Sequence, residues 1–571
     1  MNVLHQLAAK AGIAREWTDA AGVQQLVADD DLRAILAALG VDVATRAGML
    51  IALDQIEDAR ARRPVLFTAD CNEPIILPDA PLMGEDGQVV ICDPALSGIP
   101  HPGYYRMDLP DGSLTVAVAP ERCPGIDRPL WGVCIQIPSL RGTGDFGDFD
   151  TLAQAVTALG KAGADAVAIS PVHALSLDDP GRFAPYSPSS RTQLNALFGA
   201  AKVSPSRLDA DLIDWPRAGP AKIAALHALW SEQGEPDDFA AFLNRHAREG
   251  LDAVQTCARA AGMAVGLITD LAVGVDPEGS EVAASPHLFL NGLRIGAPPD
   301  PLGPQGQDWG LTSYSPKALV NSGFDPFIAM LRANIPQGGG IRIDHAFGLR
   351  RLWVVPEGRP ASAGAYLSFP FEDMLRLIKL EAWRKGAIVI AEDLGTRPDG
   401  FSESLEAAGV YGMAVLPFAR DGEGAFLPAA AYPATSVAMS ATHDIATVAG
   451  WWTGRDLEWN DRLARGGPTA VERAQDRAAL WQVIGNGAPQ PADDDPAPVV
   501  DAAIGFLAQT PCPLTLIPME DMAALVEQPN LPGTIDEHPN WRRRLPAPMP
   551  ALLAQPEIAA RIARLNRKRG A

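Results

Sequence analysis

The stretch "IRIDHAFGLRRLW", residues 341 to 353, opens as a buried β-strand and yet carries two charges near its start. Arg342 and Asp344 are two positions apart, and because side chains alternate along a strand, they point to the same face. A buried charge is costly unless it is paired. The stretch therefore predicts either a structural ion pair or a catalytic site at the end of this strand.

Similar apolar runs recur along the chain after residue 130, several of them continuously apolar, as in strands buried on both faces of a parallel sheet. Helical patterns separate them, for example an apolar stripe in "FDTLAQAVTALGKAG" (149–163). Eight alternating strand and helix units predict an α/β fold, a (β/α)8 TIM barrel. An open doubly wound sheet is the alternative. The eight runs are WGVCIQIPSL (131), DAVAISPVHAL (165), VGLITDLAVGV (265), GGIRIDHAF (339), AIVIAEDLG (387), YGMAVLPF (411), SVAMSATHD (436) and PLTLIPMED (513).

The spacing of these runs divides the chain into three regions. Residues 1–62 show helical periodicity, and residues 63–125 hold short apolar runs separated by Pro, Gly and Asp, which predicts a small β-domain. Residues 126–571 form the predicted catalytic barrel. Insertions at about 175–260 and 275–335 are too long for ordinary loops, so we expect inserted helical subdomains over the active face.

Charge and cysteine usage limit the class of partner and the compartment. The formal net charge of −22 argues against nucleic acid or an anionic membrane surface as a partner. The six cysteines contain no Cys-x-x-Cys pair, which indicates a reduced protein. The N-terminus shows no signal-peptide pattern, and no apolar run approaches the ~20 residues of a membrane span. We expect a cytoplasmic protein without membrane association, and the oligomeric state stays open.

Three of the predicted strands end in carboxylates, Asp344, Glu392 and Asp444. Barrel active sites lie at the C-terminal ends of the strands, where these acids converge. Two carboxylates that flank one bond, one ionised and one protonated, are the machinery of glycoside cleavage. Arg342 favours the ionised form of Asp344, and the like charge of Asp393 raises the pKa of Glu392. Each acid alone is better explained as a helix cap or as the partner of a surface arginine, but three together favour catalysis.

Several segments match one family in order and spacing. "RIDHAFGLRRLWVVPEG", "IAEDLG" and "ATHDIAT" resemble the signature strands of the amylomaltases, the 4-α-glucanotransferases of glycoside hydrolase family 77. The resemblance spans roughly residues 125 to 550, and the first ~125 residues resemble the N-terminal extension of the longer bacterial members. Further similar blocks are FGDF (146–149), PYSPSSR (185–191), ITDLAVGV (268–275), GAPPDPLGPQGQDWG (296–310) and PGTIDEHPNWRRRL (532–545).

The resemblance implies transfer of α-1,4-glucan segments between malto-oligosaccharides by a retaining mechanism, without a cofactor or a metal. It implies that Asp344 is the nucleophile, Glu392 the general acid/base, and Asp444 a third acid that grips sugar hydroxyls. Arg342 is implied to orient and ionise Asp344, and His443 to bind a sugar hydroxyl. A structural hydrogen bond and a substrate contact are equally good expectations for His345. Further substrate contacts are implied at Tyr186, Asp270, Asp300, Gln307 and Trp309.

Other chemistries have weaker signals. "GTGDFG" (142–147) matches the dinucleotide-binding pattern G-x-G-x-x-G, but Asp145 and the following Asp148 would repel a pyrophosphate. The sequence shows neither a metal-ligand spacing nor a G-x-S-x-G elbow. Two alternatives stay within carbohydrate chemistry: a mainly hydrolytic α-glucosidase or amylase on the same barrel, and a catalytically inactive glucan-binding protein.

Overall fold

A sheet of eight parallel strands, labelled β1 to β8 in chain order, forms the centre of the molecule. The computed structural model describes residues 2–19, 22–78, 80–90, 98–203, 210–234, 238–299 and 305–570. The strands are β1 (Leu130–Ile135), β2 (Ala166–Ile169), β3 (Gly266–Leu271), β4 (Gly340–Ile343), β5 (Ile388–Ala391), β6 (Gly412–Val415), β7 (Ser436–Met439) and β8 (Leu514–Pro518). Apart from β5, each strand pairs with the next along the chain, and β8 returns to pair with β1.

The sheet closes on itself between β5 and β6. Tyr411, just before β6, donates its N–H to the Val389 carbonyl at 2.9 Å and accepts from the Ala391 N–H at 2.8 Å. These two bonds join the edges that an open sheet would leave apart. The predicted (β/α)8 barrel is confirmed, and the open doubly wound alternative is wrong.

The helix after β1, Phe149–Lys161, shows how local sequence sets an element of the barrel. Asp148 caps its start by accepting a hydrogen bond from the Thr151 N–H at 3.0 Å. One face of the helix is buried along the stripe Leu152, Ala155, Val156 and Leu159. Capping and amphipathicity together place this helix against the outside of the barrel.

The glycine-rich segment before this helix serves chain packing. A Cβ on Gly147 would lie 2.1 Å from the Ile137 carbonyl oxygen, so only glycine fits this position. Asp148, besides capping the helix, forms an ion pair with Lys222 at 2.7 Å. Close packing and capping thus account for the match to the dinucleotide pattern.

The remaining helices of the barrel region flank the strands or lie in the insertions. Within the described ranges, no helix combines the length and the apolar character that crossing a membrane requires. These helices are Trp215–Gln233, Phe239–Ala260, Ser280–Ala284, Pro316–Asn321, Asp325–Asn334, Phe371–Lys385, Phe401–Ala408, Val448–Thr453, Arg455–Arg462, Ala470–Ile484, Ala497–Leu507, Met519–Met522, Met549–Leu553 and Pro556–Arg569.

The two insertions differ in character. The first, at about 175–260, is mainly helical, and a short strand pair, His173–Ala174 with Ser190–Leu194, precedes its helices. The second, at about 275–335, also carries two strands, which extend an antiparallel four-stranded sheet beside the barrel mouth. In order across that sheet, the strands are Gln307–Leu311, Leu293–Ala297, Arg351–Pro356 and Ala365–Ser368.

The N-terminal part combines helices with a separate sheet. The first 62 residues contain the helices Val3–Lys10, Asp29–Ala38 and Arg46–Ala61 and the strand pair Glu16–Thr18 and Gln24–Leu26. A five-stranded sheet follows and packs on the barrel helix Phe371–Lys385, where Arg376 binds Asp70 at 3.1 Å and Glu73 at 2.9 Å. This sheet orders its strands as Leu66–Asp70, Gly112–Ala119, Gly103–Leu109, Leu82–Gly84 and Val89–Val90.

Candidate active site

Arg342 in β4 lies between two carboxylates. Asp270 in β3 is its direct register partner, and the Arg342 Nη1 donates to both Asp270 oxygens, at 2.7 and 2.8 Å. The same Nη1 lies 3.1 Å from Asp344 Oδ1. A guanidinium this deeply buried is stable because two carboxylates neutralise it. The charge pair in residues 341–353 is therefore part of a triad, Asp270, Arg342 and Asp344, at the C-terminal ends of the barrel strands.

Asp344 and Glu392 extend from neighbouring strand ends. Each follows a strand directly, and the preceding residues, Ile343 and Ala391, are register partners in β4 and β5. Neighbouring strands lie roughly 4.8 Å apart. The Glu392 backbone N–H donates to the Ile343 carbonyl at 2.9 Å, which continues the ladder one residue beyond the strands. The two carboxyls therefore start from adjacent points on the rim of the barrel mouth.

Two backbone amides hold the Glu392 carboxyl. The His345 N–H donates to Oε2 at 3.0 Å, and the Leu394 N–H donates to Oε1 at 2.9 Å. His345 adopts a left-handed backbone conformation with φ +42°, which is uncommon for a residue other than glycine. This turn brings the chain that follows Asp344 back towards Glu392.

Burial dominates the pKa of Asp344. It raises the pKa to about 6 although the Arg342 guanidinium acts to lower it, and the charges of Asp270 and Glu392 raise it further. Arg342 therefore acts in the direction that the sequence suggests but does not set the net shift. The carboxyl is ionised at neutral pH and close to titration just below it.

Burial is also the first cause of the raised pKa of Glu392. Arg342 and the two backbone amides lower it in part, and Asp393 contributes least among the named groups. The Asp393 carboxyl accepts from the Met413 N–H at 2.8 Å and lies 3.3 Å from Arg397. The predicted rise is present, and Asp393 contributes to it as predicted, but burial is the larger cause.

The third acid, Asp444, lies beyond β7 in a small polar cluster. His443 Nε2 lies 3.2 Å from Asp444 Oδ2, and the Asn530 amide donates to Oδ1 at 2.7 Å. Desolvation acts to raise the pKa of Asp444, but His443 and Asn530 outweigh it, so the pKa is lowered. Asp444 is an anion held in place from two sides.

Tyr186 connects this cluster to the Arg342 triad. Its hydroxyl donates to Asp270 Oδ2 at 2.6 Å and lies 3.3 Å from His443 Nδ1. Its ring stacks on the His443 imidazole with centroids 4.6 Å apart. Tyr186 and Asp270 thus link the groups on β3 and β4 to those that follow β7.

The strand Gln307–Leu311 places an aromatic ring against His345, the residue after Asp344. The Trp309 indole meets the His345 ring edge to face at 5.0 Å and donates its Nε1–H to Gln307 Oε1 at 3.0 Å. Asp300 lies outside the described residues. Among the described residues, direct contacts therefore connect the side chains that the sequence selects into two groups, which meet where Asp344 and His345 follow one another in the chain.

The family model for the 4-alpha-glucanotransferases of glycoside hydrolase family 77 matches residues 135–246 and 203–550, well over half of the chain. The chain belongs to this family. Membership confirms the predicted enzyme, a 4-α-glucanotransferase, and the predicted resemblance to the amylomaltases.

Family 77 relatives match the chain along most of its length. The chain is 29% identical to the 4-alpha-glucanotransferase of Mycobacterium tuberculosis, over 95% of this chain and 94% of the relative. It is 28% identical to that of Haemophilus influenzae, over 82% and 84%. The crystal structure of amylomaltase from Corynebacterium glutamicum superposes with a TM-score of 0.91 at 25% identity and covers 100% of both chains. The structural likeness therefore includes the N-terminal 125 residues.

Three further residues in or beside this site are not predicted from the sequence. Asn530 holds Asp444, and the Trp541 ring lies 5.4 Å from His443 and 5.6 Å from Tyr186. Glu520, just after β8, is buried beside the cleft. The block "PGTIDEHPNWRRRL" contains Trp541, and this block is the signal by which it could have been found.

We expect Glu520 to make the stability of the enzyme depend on pH. Burial raises its folded-state pKa to about 7, whereas an unfolded glutamate titrates near ~4.3. Between these values the folded chain keeps a proton that the unfolded chain has lost, so the free energy of unfolding falls as pH rises. Glu520→Gln removes this contribution.

Urea unfolding of wild type and Glu520→Gln at pH 5 and pH 8 tests this expectation. The variant should gain stability relative to wild type on going from pH 5 to pH 8. Glu232→Gln, on an exposed helix position, is the surface control. An equal difference between variant and wild type at both pH values would contradict it.

Proposed function

We propose that the chain transfers α-1,4-glucan segments between malto-oligosaccharides by a retaining double displacement. The observation that supports this most directly is the pair of carboxyls on adjacent strand ends, one beside a guanidinium and one held by backbone amides. A retaining pair lies about 5–5.5 Å apart. Strand neighbours separated by roughly 4.8 Å allow that spacing.

In the first step, Asp344 attacks the anomeric carbon of the donor. The bond from that carbon to the leaving oxygen breaks, and Glu392 gives its proton to that oxygen. The product is a glucosyl ester on Asp344. Arg342 orients the attacking carboxylate, and Asp270 and Tyr186 fix the guanidinium. Glu392 is left as a carboxylate, stabilised by the His345 and Leu394 amides.

In the second step, the Glu392 carboxylate removes the proton from the 4-hydroxyl of an acceptor. The acceptor oxygen attacks the ester carbon, the bond to Asp344 breaks, and both residues return to their starting states. Two inversions at one carbon retain the α-configuration. Asp444 and His443 bind hydroxyls of the reacting sugar, and Asp444 stabilises positive charge as it develops.

The acceptor side is formed by the strand Gln307–Leu311. Trp309 offers a ring face on which a sugar can stack, and Gln307 fixes the indole through its Nε1–H. His345 contacts the indole and so helps to set its orientation. The substrate contact implied for Asp300 stays a prediction. A held acceptor competes with water because its hydroxyl is already in attack geometry.

The substrates we propose are neutral glucans, and the net charge of −22 argues against a nucleic-acid or membrane partner. We also infer a cytoplasmic location, which the free cysteines in the described ranges support.

Product analysis with maltotriose separates transfer from hydrolysis. We expect free glucose together with maltopentaose and longer oligomers, while the total concentration of reducing ends stays constant, because each transfer breaks one linkage and makes another. The hydrolytic alternative gives reducing ends that rise in step with bond cleavage. That second outcome would overturn the proposed function.

A further inference from the structure

The N-terminal region extends the four-stranded sheet beside the barrel mouth. The Ala14 N–H donates to the Tyr366 carbonyl at 2.8 Å. The Ser368 N–H donates to the Gly12 carbonyl, also at 2.8 Å. These bonds add an N-terminal segment to one edge of the sheet, and the strand that carries Trp309 forms the other end of the four-stranded order.

A series of contacts crosses the sheet from Trp17 to that strand. The Trp17 and Trp353 rings meet edge to face at 5.1 Å. The Trp353 Nε1–H donates to the Ala361 carbonyl at 2.9 Å. Ala361 begins a single helical turn, Ala361–Ala363, which packs against the strand Gln307–Leu311. One tryptophan and one turn therefore connect the N-terminal region to the strand that carries Trp309.

The packing around this strand is close on two sides. A Cβ on Gly306, the residue before the strand, would lie 3.2 Å from the Ala361 Cβ. A Cβ on Gly296, in the neighbouring strand, would lie 1.8 Å from the Gln307 carbonyl oxygen. Close-packed groups transmit displacements because they leave no free volume to absorb them. A shift of the turn therefore shifts the backbone of the strand.

The helix Asp29–Ala38 holds the same part of the sheet. It packs on the strand that contains Leu352, and Leu32 and Leu352 belong to one hydrophobic core. Asp31 forms an ion pair of 2.6 Å with Arg359, in the loop that leads to the turn. The N-terminal region thus contacts both the strand that contains Trp353 and the loop that follows it.

We propose that Trp17 is a positioning residue for the acceptor, because it fixes, through Trp353 and the turn Ala361–Ala363, the strand that carries Trp309. Attack on the glucosyl ester needs an acceptor hydroxyl that is already in attack geometry. Loss of the Trp17 contact therefore weakens acceptor binding and leaves ester formation from the donor unchanged. This inference rests on the proposed function, which assigns Trp309 to the acceptor side.

Acceptor kinetics separate positioning from a purely structural role. The donor is 4′-deoxy-α-maltosyl fluoride, which forms the ester but lacks the hydroxyl that would make it an acceptor, and glucose is the acceptor. We expect Trp17→Ala to raise the KM for glucose by about fivefold, while the initial burst of fluoride, which reports ester formation, keeps its rate within about twofold. Trp17→Phe, which keeps an aromatic ring, should restore the wild-type KM. Trp17→Leu, which keeps apolar bulk if the alanine variant does not fold, should raise the KM in the same direction.

Two further variants show whether the effect passes through Trp309. Trp309→Ala alone should raise the KM for glucose, and Trp17→Ala added to it should raise the KM no further, because residues that act through one contact are not additive. The matched control is Trp383→Ala. Trp383 is 45% exposed on the helix on which the five-stranded N-terminal sheet packs, and its loss should leave the KM within about twofold.

A rise in KM that is absent from the Trp309→Ala background, with an unchanged fluoride burst, supports the inference. An unchanged KM in folded Trp17→Ala or Trp17→Leu protein, or the same rise in the Trp309→Ala background, overturns it. An equal loss of the fluoride burst and of transfer also overturns it, since that result indicates a structural role only. Wild-type protein that forms no longer oligomers from maltotriose defeats the proposed function itself, whereas intact wild-type transfer with an additive Trp17 effect defeats only this inference.

Discussion

Asp344→Asn abolishes transfer, with kcat reduced by on the order of 10⁴-fold or more, because an amide cannot form the glucosyl ester. The substitution keeps the shape of the side chain. Arg342 also keeps its two bonds to Asp270, so the site stays assembled. Glucose release and oligomer formation from maltotriose measure the loss. The control Asp399→Asn lies on the exposed surface near β5 and should retain wild-type turnover.

The same variant should fold as well as wild type. Burial raises the pKa of Asp344, which means that the folded state disfavours its charge, and a neutral amide avoids that cost. We expect an unfolding temperature equal to or above that of wild type at pH 8. Turnover within tenfold of wild type in a folded Asp344→Asn protein would show that another residue is the nucleophile.

Sequence reasoning succeeds where the signal is local. Arg342 and Asp344 share a face because strand residues alternate, and Glu392 directly follows an apolar run, so each position follows from a few adjacent letters. Asp270 precedes Arg342 by 72 positions, and only the register of β3 against β4 places the two side by side. No local pattern pairs them.

Long-range packing explains what the sequence does not reveal. Asn530 belongs to a segment after β8 without strand or helix periodicity, and only the closed barrel brings it to Asp444. Burial depends on the whole fold, which is why the pKa of Glu392 follows burial more than its charged neighbour Asp393. The strands of the second insertion are short. Leu293–Ala297 pairs with Arg351–Pro356, which lies far along the chain, and Gln307–Leu311 pairs with Leu293–Ala297. The proposed domain boundaries stay predictions.

Glu392→Ala should separate the two chemical steps. With maltotriose we expect kcat to fall by roughly 10²–10⁴-fold, because the leaving oxygen lacks a proton donor and the acceptor lacks a base. With a donor such as α-maltosyl fluoride, the fluoride ion leaves without protonation, so ester formation should recover. Azide attacks without deprotonation and should restore turnover, giving a glycosyl azide of α-configuration. In Glu392→Gln the amide oxygen still accepts a hydrogen bond from one backbone N–H. Because this side chain fills the space that azide would occupy, the rescue should be much weaker.

The pH profile distinguishes loss of the acid from loss of structure. In wild type, we expect kcat/KM to need an ionised Asp344, whose pKa burial raises to about 6, and a protonated Glu392, whose pKa burial also raises. The acidic limb of the profile is then the ionisation of Asp344 and the alkaline limb the loss of the Glu392 proton. Glu392→Ala with the fluoride donor should lack the alkaline decline. Its acidic limb should move to lower pH, since the Glu392 charge contributes to the raised pKa of Asp344. An azide product of β-configuration would mean that the reaction does not pass through the Asp344 ester. An alkaline limb that persists would mean that Glu392 does not transfer the proton.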